Sequence, residues 1–407
     1  MRRFSGPLAF IFITLLIDFI GFGIIIPVVP KLIEQLIGGN ESDASWYGGW
    51  LTFAYAIMQF FFAPILGGLS DKYGRRPVLL LSMAGMGIDY LFLAYAPNIF
   101  WLFVGRIIIG ITGASMTAAS AYIADISTPE KRAQNFGLLG SAFGVGFILG
   151  PVIGGTVSEH WGLRAPFFLT AGMSLLNALY GYFILPESLK PENRRAFSWA
   201  RANPWGGLRQ MKQYRNIYPL LGAVVLIFTA IHAIQSNWTY YTMLVFNWST
   251  GMVGYSLSFS GMMTIIVQGV LIRWLLPKIG YSRAVYIGLL IYGISFLLFG
   301  LATAGWMMFA ILAFYGLGGI FGPSLQGIIS NQVPPDEQGE LQGTFTSLIS
   351  LTNIVGPLLM TGLFHFFTQD TAPMYFPAAP FVMAAVLTLW GAMLAIRAFR
   401  KHTKTAA

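Results

Sequence analysis

Three ionisable residues stand where water should be scarce. Asp18, Asp89 and Arg106 each fall inside a long apolar run. Asp18 is about eleven residues into its run, Asp89 about twelve and Arg106 about eight; at ~1.5 Å per helical residue both acids lie roughly 16 Å deep. A charge at the bilayer centre costs at least ~2.5–3.5 kcal/mol on insertion scales. Two acids and one base in the same half of the chain therefore need a shared polar cavity. In such a cavity desolvation favours a neutral carboxyl group and a nearby guanidinium opposes it, so carboxyl groups there are suited to taking up and releasing protons. The expected chemistry is proton carriage, with Asp18, Asp89 and Arg106 as the coupling groups.

The second half has no acid at that depth. Its polar candidates are His232, Gln235, Asn237, Gln268, Gln326 and Asn353. Such groups orient a ligand by hydrogen bonds within an aromatic cavity. His232 reads more simply as a packed polar group than as a titrating one. Trp238, Tyr240 and Tyr241, near the outer end of a run, read as an interfacial belt. Glu34 reads as a wetted helix end. The absence of Cys excludes disulfides and thiolate metal sites. The His residues make no zinc spacing, and no phosphate-binding loop or nucleophile–base set is present. No cofactor, no metal and no enzymatic activity are expected.

The elements that must position these residues follow from composition. Of the 407 residues 56% are hydrophobic and 10% charged, too few charges to keep a soluble surface wet. A membrane-crossing helix needs about 20 mostly apolar residues. Twelve runs qualify: 7–34, 46–70, 77–96, 98–124, 134–158, 164–186, 217–241, 249–275, 283–302, 305–330, 340–367 and 376–397. The short alternating segments of a membrane β-barrel are absent. The first run is too long for a signal-peptide core and has no small-residue cleavage site, so it reads as a retained span. With both termini cytoplasmic, inside segments hold 21 of the 24 Lys and Arg; Lys31 and Arg164 fall outside and Arg106 within a span. That asymmetry satisfies the positive-inside rule and accounts for the net charge of +9 without nucleic acid as a partner.

The expected organisation is an all-α membrane protein of twelve transmembrane helices in two pseudo-symmetric six-helix bundles. Residues 1–186 and 217–407 form the bundles, and 187–216 a basic cytoplasmic linker facing anionic membrane lipid. The halves align at an offset of 206 residues. Gly74, Gly110, Gly113, Gly137 and Gly150-Pro151 match Gly280, Gly316, Gly319, Gly343 and Gly356-Pro357, and Asp125–Glu130 matches Asn331–Asp336. A constant register across several loops argues for duplication, an architecture that places substrate at the interface of the repeats.

Two motifs suit conformational gating. The loop Gly67-Gly-Leu-Ser-Asp71-Lys72-Tyr-Gly74-Arg75-Arg76-Pro77 turns tightly through glycine. Asp71, following the second helix, can accept from neighbouring helix ends, and Asp125 is a partner for Arg75 or Arg76. Such a cluster latches one conformation and releases it in another. The fifth span carries Gly140, Gly144, Gly146, Gly150-Pro151 and Gly154-Gly155. Gly150 and Gly154 offer a smooth face for backbone contact, and Pro151 invites a bend. This reads as a bendable helix that seals the two halves.

The loop resembles the signature of the major facilitator superfamily, and Arg273–Arg283 looks like its decayed second copy, with Pro277 where Asp71 would fall. The run Gly146–Gly155 is similar to the antiporter motif of the drug/proton branch, and Arg106-Ile-Ile-Ile-Gly110 to that superfamily's proton-transfer motif. Leu15–Gly21 with Pro27-Val-Val-Pro30, Tyr55-Ala-Ile-Met-Gln59 with Ala63-Pro64, Gly87–Tyr90, and Leu341–Gly343 with Ser350–Asn353 resemble tetracycline/proton antiporters over nearly the whole chain. That resemblance implies the major facilitator fold, a monomer in the bacterial inner membrane, and Tyr55 and Gln59 among the substrate-binding residues. Thr264 stands where those antiporters carry a His and Tyr292 where they carry an Asp, which points to a cousin with another substrate.

The expected function is proton-driven efflux of amphiphilic small molecules, of the drug-resistance type. The alternatives are a symporter, facilitator or carrier of lipid-like molecules with this fold, or a receptor that binds without flux.

Overall fold

Helices dominate because lipid offers no hydrogen bonds, so each spanning backbone must satisfy its own polar groups. The computed structural model describes residues 6–199, 217–330 and 338–405. Asn331–Asp336 and residues 200–216 of the expected linker lie outside the described residues. Among the described residues twelve helices are long and apolar enough to cross a membrane, each overlapping one expected span.

The first half contains α1 (Gly6–Ile37), α2 (Glu41–Tyr73), α3 (Arg75–Tyr95), α4 (Ile99–Thr112), α5 (Ser115–Ile126), α6 (Pro129–Trp161) and α7 (Ala165–Ile184). The second contains α8 (Tyr218–Gln235), α9 (Trp238–Phe246), α10 (Thr250–Ile266), α11 (Ile272–Ile279), α12 (Tyr281–Leu301), α13 (Gly305–Gly318), α14 (Phe321–Ser330), α15 (Gln338–Thr368) and α16 (Ala379–Thr405).

The fourth span, Ile99–Ile126, is broken between α4 and α5. Gly113 N–H turns back to the Ile109 carbonyl at 2.7 Å. Ser82 on α3 donates to the Thr112 carbonyl at 2.7 Å and accepts from Ala114 N–H at 3.2 Å. A neighbouring hydroxyl thus takes up the backbone groups the break releases. The tenth span breaks at the equivalent Gly319, whose N–H reaches the Gly316 carbonyl at 3.0 Å. The eighth span runs through a π-helical turn at Val267–Leu271, which carries Gln268.

The seventh span differs from expectation. It does not continue to residue 241 but stops at Gln235, where Ser236 donates to the His232 carbonyl at 2.6 Å, and restarts as α9. Trp238, Tyr240 and Tyr241 are consequently buried rather than arrayed as an interfacial belt. Trp238 meets Phe299 edge-on at 5.2 Å, and Tyr241 donates to the Phe299 carbonyl at 3.0 Å. The short α9 turns these rings inward to an aromatic core, and a buried Tyr needs such a hydroxyl partner. Glu34 is a half-buried helix end paired with Lys31 at 2.8 Å.

The chain forms two compact units. The first comprises Met1–Gly39, Ala54–Pro204 and Ser249–Ser258; the second comprises Asn40–Phe53, Trp205–Trp248 and Phe259–Ala407. Each half thus lends one segment to the other's unit: the start of α2 packs in the second, and the start of α10 in the first. In the first unit α1 is central, and its Leu8, Ile11 and Leu15 join Leu79, Ala118 and Tyr122 in a buried cluster. Large apolar side chains remain on the outside, among them Phe183 at 74% and Leu301 at 71% exposure, a surface suited to lipid and not to water.

Candidate functional site

The site in the first unit assembles from α1 to α5. Asp89, on α3, is paired with Arg106, on α4, through Oδ2 and Nη2; the side chains are only 2% and 13% exposed. Asp89 Oδ1 and Arg106 Nε are buried without a hydrogen-bond partner among the described residues. Buried charges persist in apolar surroundings when paired, and atoms left over mark where water, proton or ligand can bind.

Asp18, on α1, does not join that pair. Its side chain is buried, and its Oδ2 has no partner among the described residues. Tyr55 on α2, half-buried, and Tyr90 on α3, buried, lie within electrostatic reach of Asp18, Asp89 and Arg106 together. Gln59, one turn along α2 from Tyr55, donates through Nε2 to the Gly113 carbonyl at the break at 3.2 Å. So the structure brings together all three expected coupling groups and places Tyr55 and Gln59 beside them. The Tyr90 hydroxyl, beside Gly21 of α1, is a member that sequence reasoning did not assign.

The candidates in the second unit are more dispersed. His232 is buried against Gly356, and its Nδ1 has no partner among the described residues. Asn237 is fully buried, and both its side-chain polar atoms are likewise unpartnered. Gln235, Gln268, Gln326 and Asn353 are exposed. Thr264 returns its hydroxyl to the Ser260 carbonyl at 3.0 Å, as spanning threonines commonly do. Tyr292 is buried and stacked on Tyr315 at 4.3 Å and 7°. It fills the position with an aromatic layer, not with a charge.

A second cluster surrounds the signature loop. Asp71 does not follow the second helix but sits in the last turn of α2, which runs on to Tyr73 because Gly74, at φ +110°, makes the turn. Arg75 bridges Asp71 at 2.5 Å and Asp125 at 3.2 Å and donates to Ser70 at 2.8 Å. Arg76 takes a different partner, donating to the Tyr182 carbonyl. Glu187 completes the cluster. It accepts from the backbone N–H groups of Arg75 at 2.8 Å and Arg76 at 3.2 Å, capping the exposed donors at the start of α3. Glu187 was read as part of the linker, and nothing in its spacing reveals a partner 112 residues away. Gly67 has room for a side chain, since an added Cβ would meet nothing nearer than Thr117 at 3.8 Å.

The glycine face of α6 meets α1 of its own unit. A Cβ on Gly150 would lie 2.5 Å from the Ile20 carbonyl oxygen, and one on Gly154 2.7 Å from that of Ile24. Pro151 packs against Gly23. The same stretch also meets Ser249–Ser258, with Gly254 against the Pro151 carbonyl and Ser258 donating to the Ile148 carbonyl at 2.5 Å, and the contacts continue along α6 with Ser158 to Thr250 at 2.8 Å and Gly251 N–H to Glu159 at 2.9 Å. Ser158 and Glu159 were missed because polar side chains near a span end look like ordinary wetted positions.

The sequence pattern of the Major Facilitator Superfamily matches residues 11–291 and 266–407. The chain is 39% identical to the class C tetracycline resistance protein of Escherichia coli, over 86% of this chain and 88% of that protein. It is 38% identical to the class G tetracycline resistance protein of Vibrio anguillarum, over 89% and 91%. A bacterial homolog of the human lysosomal transporter Spinster, solved in an inward-facing, unoccupied conformation, superposes with a TM-score of 0.79 at 17% identity, over 98% of this chain and 99% of that one. At that identity the likeness is one of fold.

Proposed function

The chain belongs to the Major Facilitator Superfamily, and on that premise we propose that it is a proton-coupled secondary active transporter that exports amphiphilic, drug-like or tetracycline-like small molecules in exchange for protons. One observation carries this reading: two buried carboxyl groups and one buried guanidinium share a single unit, with carboxyl oxygens left unpartnered. A merely structural ion pair would need one acid, and would satisfy its atoms. The similarity to tetracycline resistance proteins supports efflux as the direction.

The cycle runs through this chain's own groups. A proton from outside neutralises Asp18 or Asp89. Neutral Asp89 holds Arg106 less strongly, so protonation becomes a mechanical event at the α3–α4 contact. Substrate leaves, the halves rock, and release of the proton to the cytoplasm restores affinity. Residues 1–186 and 217–407 act as the moving six-helix halves, joined by 187–216. Asp71, Arg75, Arg76 and Asp125, with Glu187, latch one state; Gly150, Pro151 and Gly154 let α6 follow α1. Tyr55 and Gln59 with His232, Gln235, Asn237, Gln268, Gln326 and Asn353 contact the substrate. Thr264 and Tyr292 supply no charge, which supports an amphiphilic ligand held by aromatic and amide groups. The protein works as a monomer in the bacterial inner membrane, with both termini cytoplasmic.

The test uses purified protein in liposomes with an imposed pH gradient, probed with tetracycline and with cationic dyes. Asp18→Asn and Asp89→Asn are each expected to reduce gradient-driven accumulation of whichever probe the wild type moves to the level of empty liposomes. Undiminished accumulation in both variants would remove the proton role of these acids.

A further inference from the structure

The second copy of the signature loop keeps the turn of the first but not its charges. Gly280, at φ +76°, turns the chain as Gly74 does at φ +110°. At the offset of 206 residues, Asp71 and Asp125, the two acids that hold Arg75, correspond to Pro277 and Asn331, and Arg75 itself to Tyr281. Residues 273–283 instead carry Arg273, Lys278 and Arg283, with no acid among them. All three are exposed, and among the described residues none is paired with a carboxylate. The first copy neutralises its arginine from within the protein, whereas the second leaves its cations to an outside partner.

The faces of α11 sort these groups from the apolar ones. Ile272, Leu275, Leu276 and Ile279 pack against the buried Val267, Ala284 and Ile320. Arg273, Trp274, Pro277 and Lys278 take the opposite, exposed face. There Lys278 Nζ stands 3.5 Å from the centre of the Trp274 ring, a cation–π contact that keeps the ammonium beside an apolar surface. Trp274 is 61% exposed, and Val270 and Ile266, one and two turns earlier in the same span, are exposed with it. Tryptophan and basic residues together at a span end mark the level of the lipid headgroups.

We infer that this exposed face of α11, with Arg283 across the Gly280 turn, binds the phosphate headgroup of an anionic phospholipid. The parts match. The planar guanidinium of Arg273 suits two phosphate oxygens at once, and Lys278 adds a point charge. The apolar surface of Ile266, Val270 and Trp274 leads away from the cations along the span and covers an acyl chain. A free phosphate would use the cations and leave that surface bare, so the occupant is a lipid. Its headgroup supplies the second half with the anion that Asp71 supplies in the first. The inference goes beyond proton-coupled exchange. It rests only on the chain spanning a membrane with this end at the cytoplasmic leaflet, where anionic headgroups attract basic side chains.

The experiment titrates the full-length protein in neutral detergent with phosphatidylglycerol, with phosphatidylcholine and with glycerol phosphate, and reads bound lipid by native mass spectrometry and stability by thermal unfolding. The wild type should bind phosphatidylglycerol in preference to phosphatidylcholine. Each basic group at an anionic headgroup changes affinity by about fivefold. Lys278→Gln should therefore weaken phosphatidylglycerol binding by about that factor, and Arg273→Gln/Lys278→Gln/Arg283→Gln by roughly a hundredfold. Pro277→Asp keeps every cation but installs the acid of the first copy, and should also weaken binding. Arg397→Gln removes an exposed cation of α16 and should leave binding unchanged. Should the triple variant fail to fold, the single variants read the same loss. Undiminished binding in the triple variant or in Lys278→Gln, or an equal loss in Arg397→Gln, overturns the inference, the latter because it would mean attraction to the basic face as a whole. Equal stabilisation by glycerol phosphate would overturn it too, as a site for soluble phosphate. No pH gradient or transported compound enters the measurement, so failure here leaves proton-coupled exchange standing, and failure of exchange leaves the lipid site standing.

Discussion

Arg106→Ala is expected to abolish exchange and to be among the most destabilising single substitutions in the first unit. It strands Asp89, whose side chain is 2% exposed, without its cation. Breaking a buried pair from one side typically costs about 3–5 kcal/mol, because the remaining charge stays desolvated. A second substitution, Asp89→Asn, removes that stranded charge. The double variant Asp89→Asn/Arg106→Ala should therefore recover most of the lost thermal stability and none of the transport. Arg106→Lys keeps the charge but loses the planar fork, and should retain stability better than it retains activity. Thermal unfolding of the four proteins, arranged as a double-mutant cycle, measures the coupling directly. If the double variant is no more stable than Arg106→Ala, the pair is not what organises this part of the unit.

Gly154→Ala should destabilise the protein where Gly140→Ala does not. Both are glycines of α6. A Cβ on Gly154 would lie 2.7 Å from the Ile24 carbonyl oxygen and 2.8 Å from its Cα, so the clash is with backbone that cannot rotate away. The same atom on Gly140 meets nothing within 4 Å. Overpacking of this kind costs about 1–3 kcal/mol, whereas Ala for Gly in an open helix position gains up to ~1 kcal/mol from propensity alone. Opposite signs in unfolding midpoint are the expected result, with a larger residue at Gly154 preventing stable folding. Equal behaviour of the two variants would mean that α1 and α6 do not rely on close backbone approach.

How much of this was legible in the sequence varies with the physics of each residue. Asp18, Asp89 and Arg106 announce themselves, because a charge in an apolar run is too costly to be incidental. The spans follow from length and hydropathy, since membrane thickness sets the scale. The breaks at Gly113 and Gly319 are visible only as matched glycines; that they interrupt helices depends on Ser82 and other neighbours accepting the released backbone groups. Glu187 leaves no trace, because what makes it matter is a partner distant in sequence. Trp238, Tyr240 and Tyr241 misled for a related reason. Aromatic residues near a span end look like a belt, and only the stop at Gln235 turns them into the core.

The most direct measurement is proton release on substrate binding, with purified protein in weakly buffered solution containing a pH-indicator dye. Adding a transported compound to the wild type should release protons into the medium, because ligand binding and protonation of the acids oppose each other. The double variant Asp18→Asn/Asp89→Asn should bind the compound and release none. Undiminished release from that variant, or binding to the wild type with no proton appearing at any pH, would contradict the account.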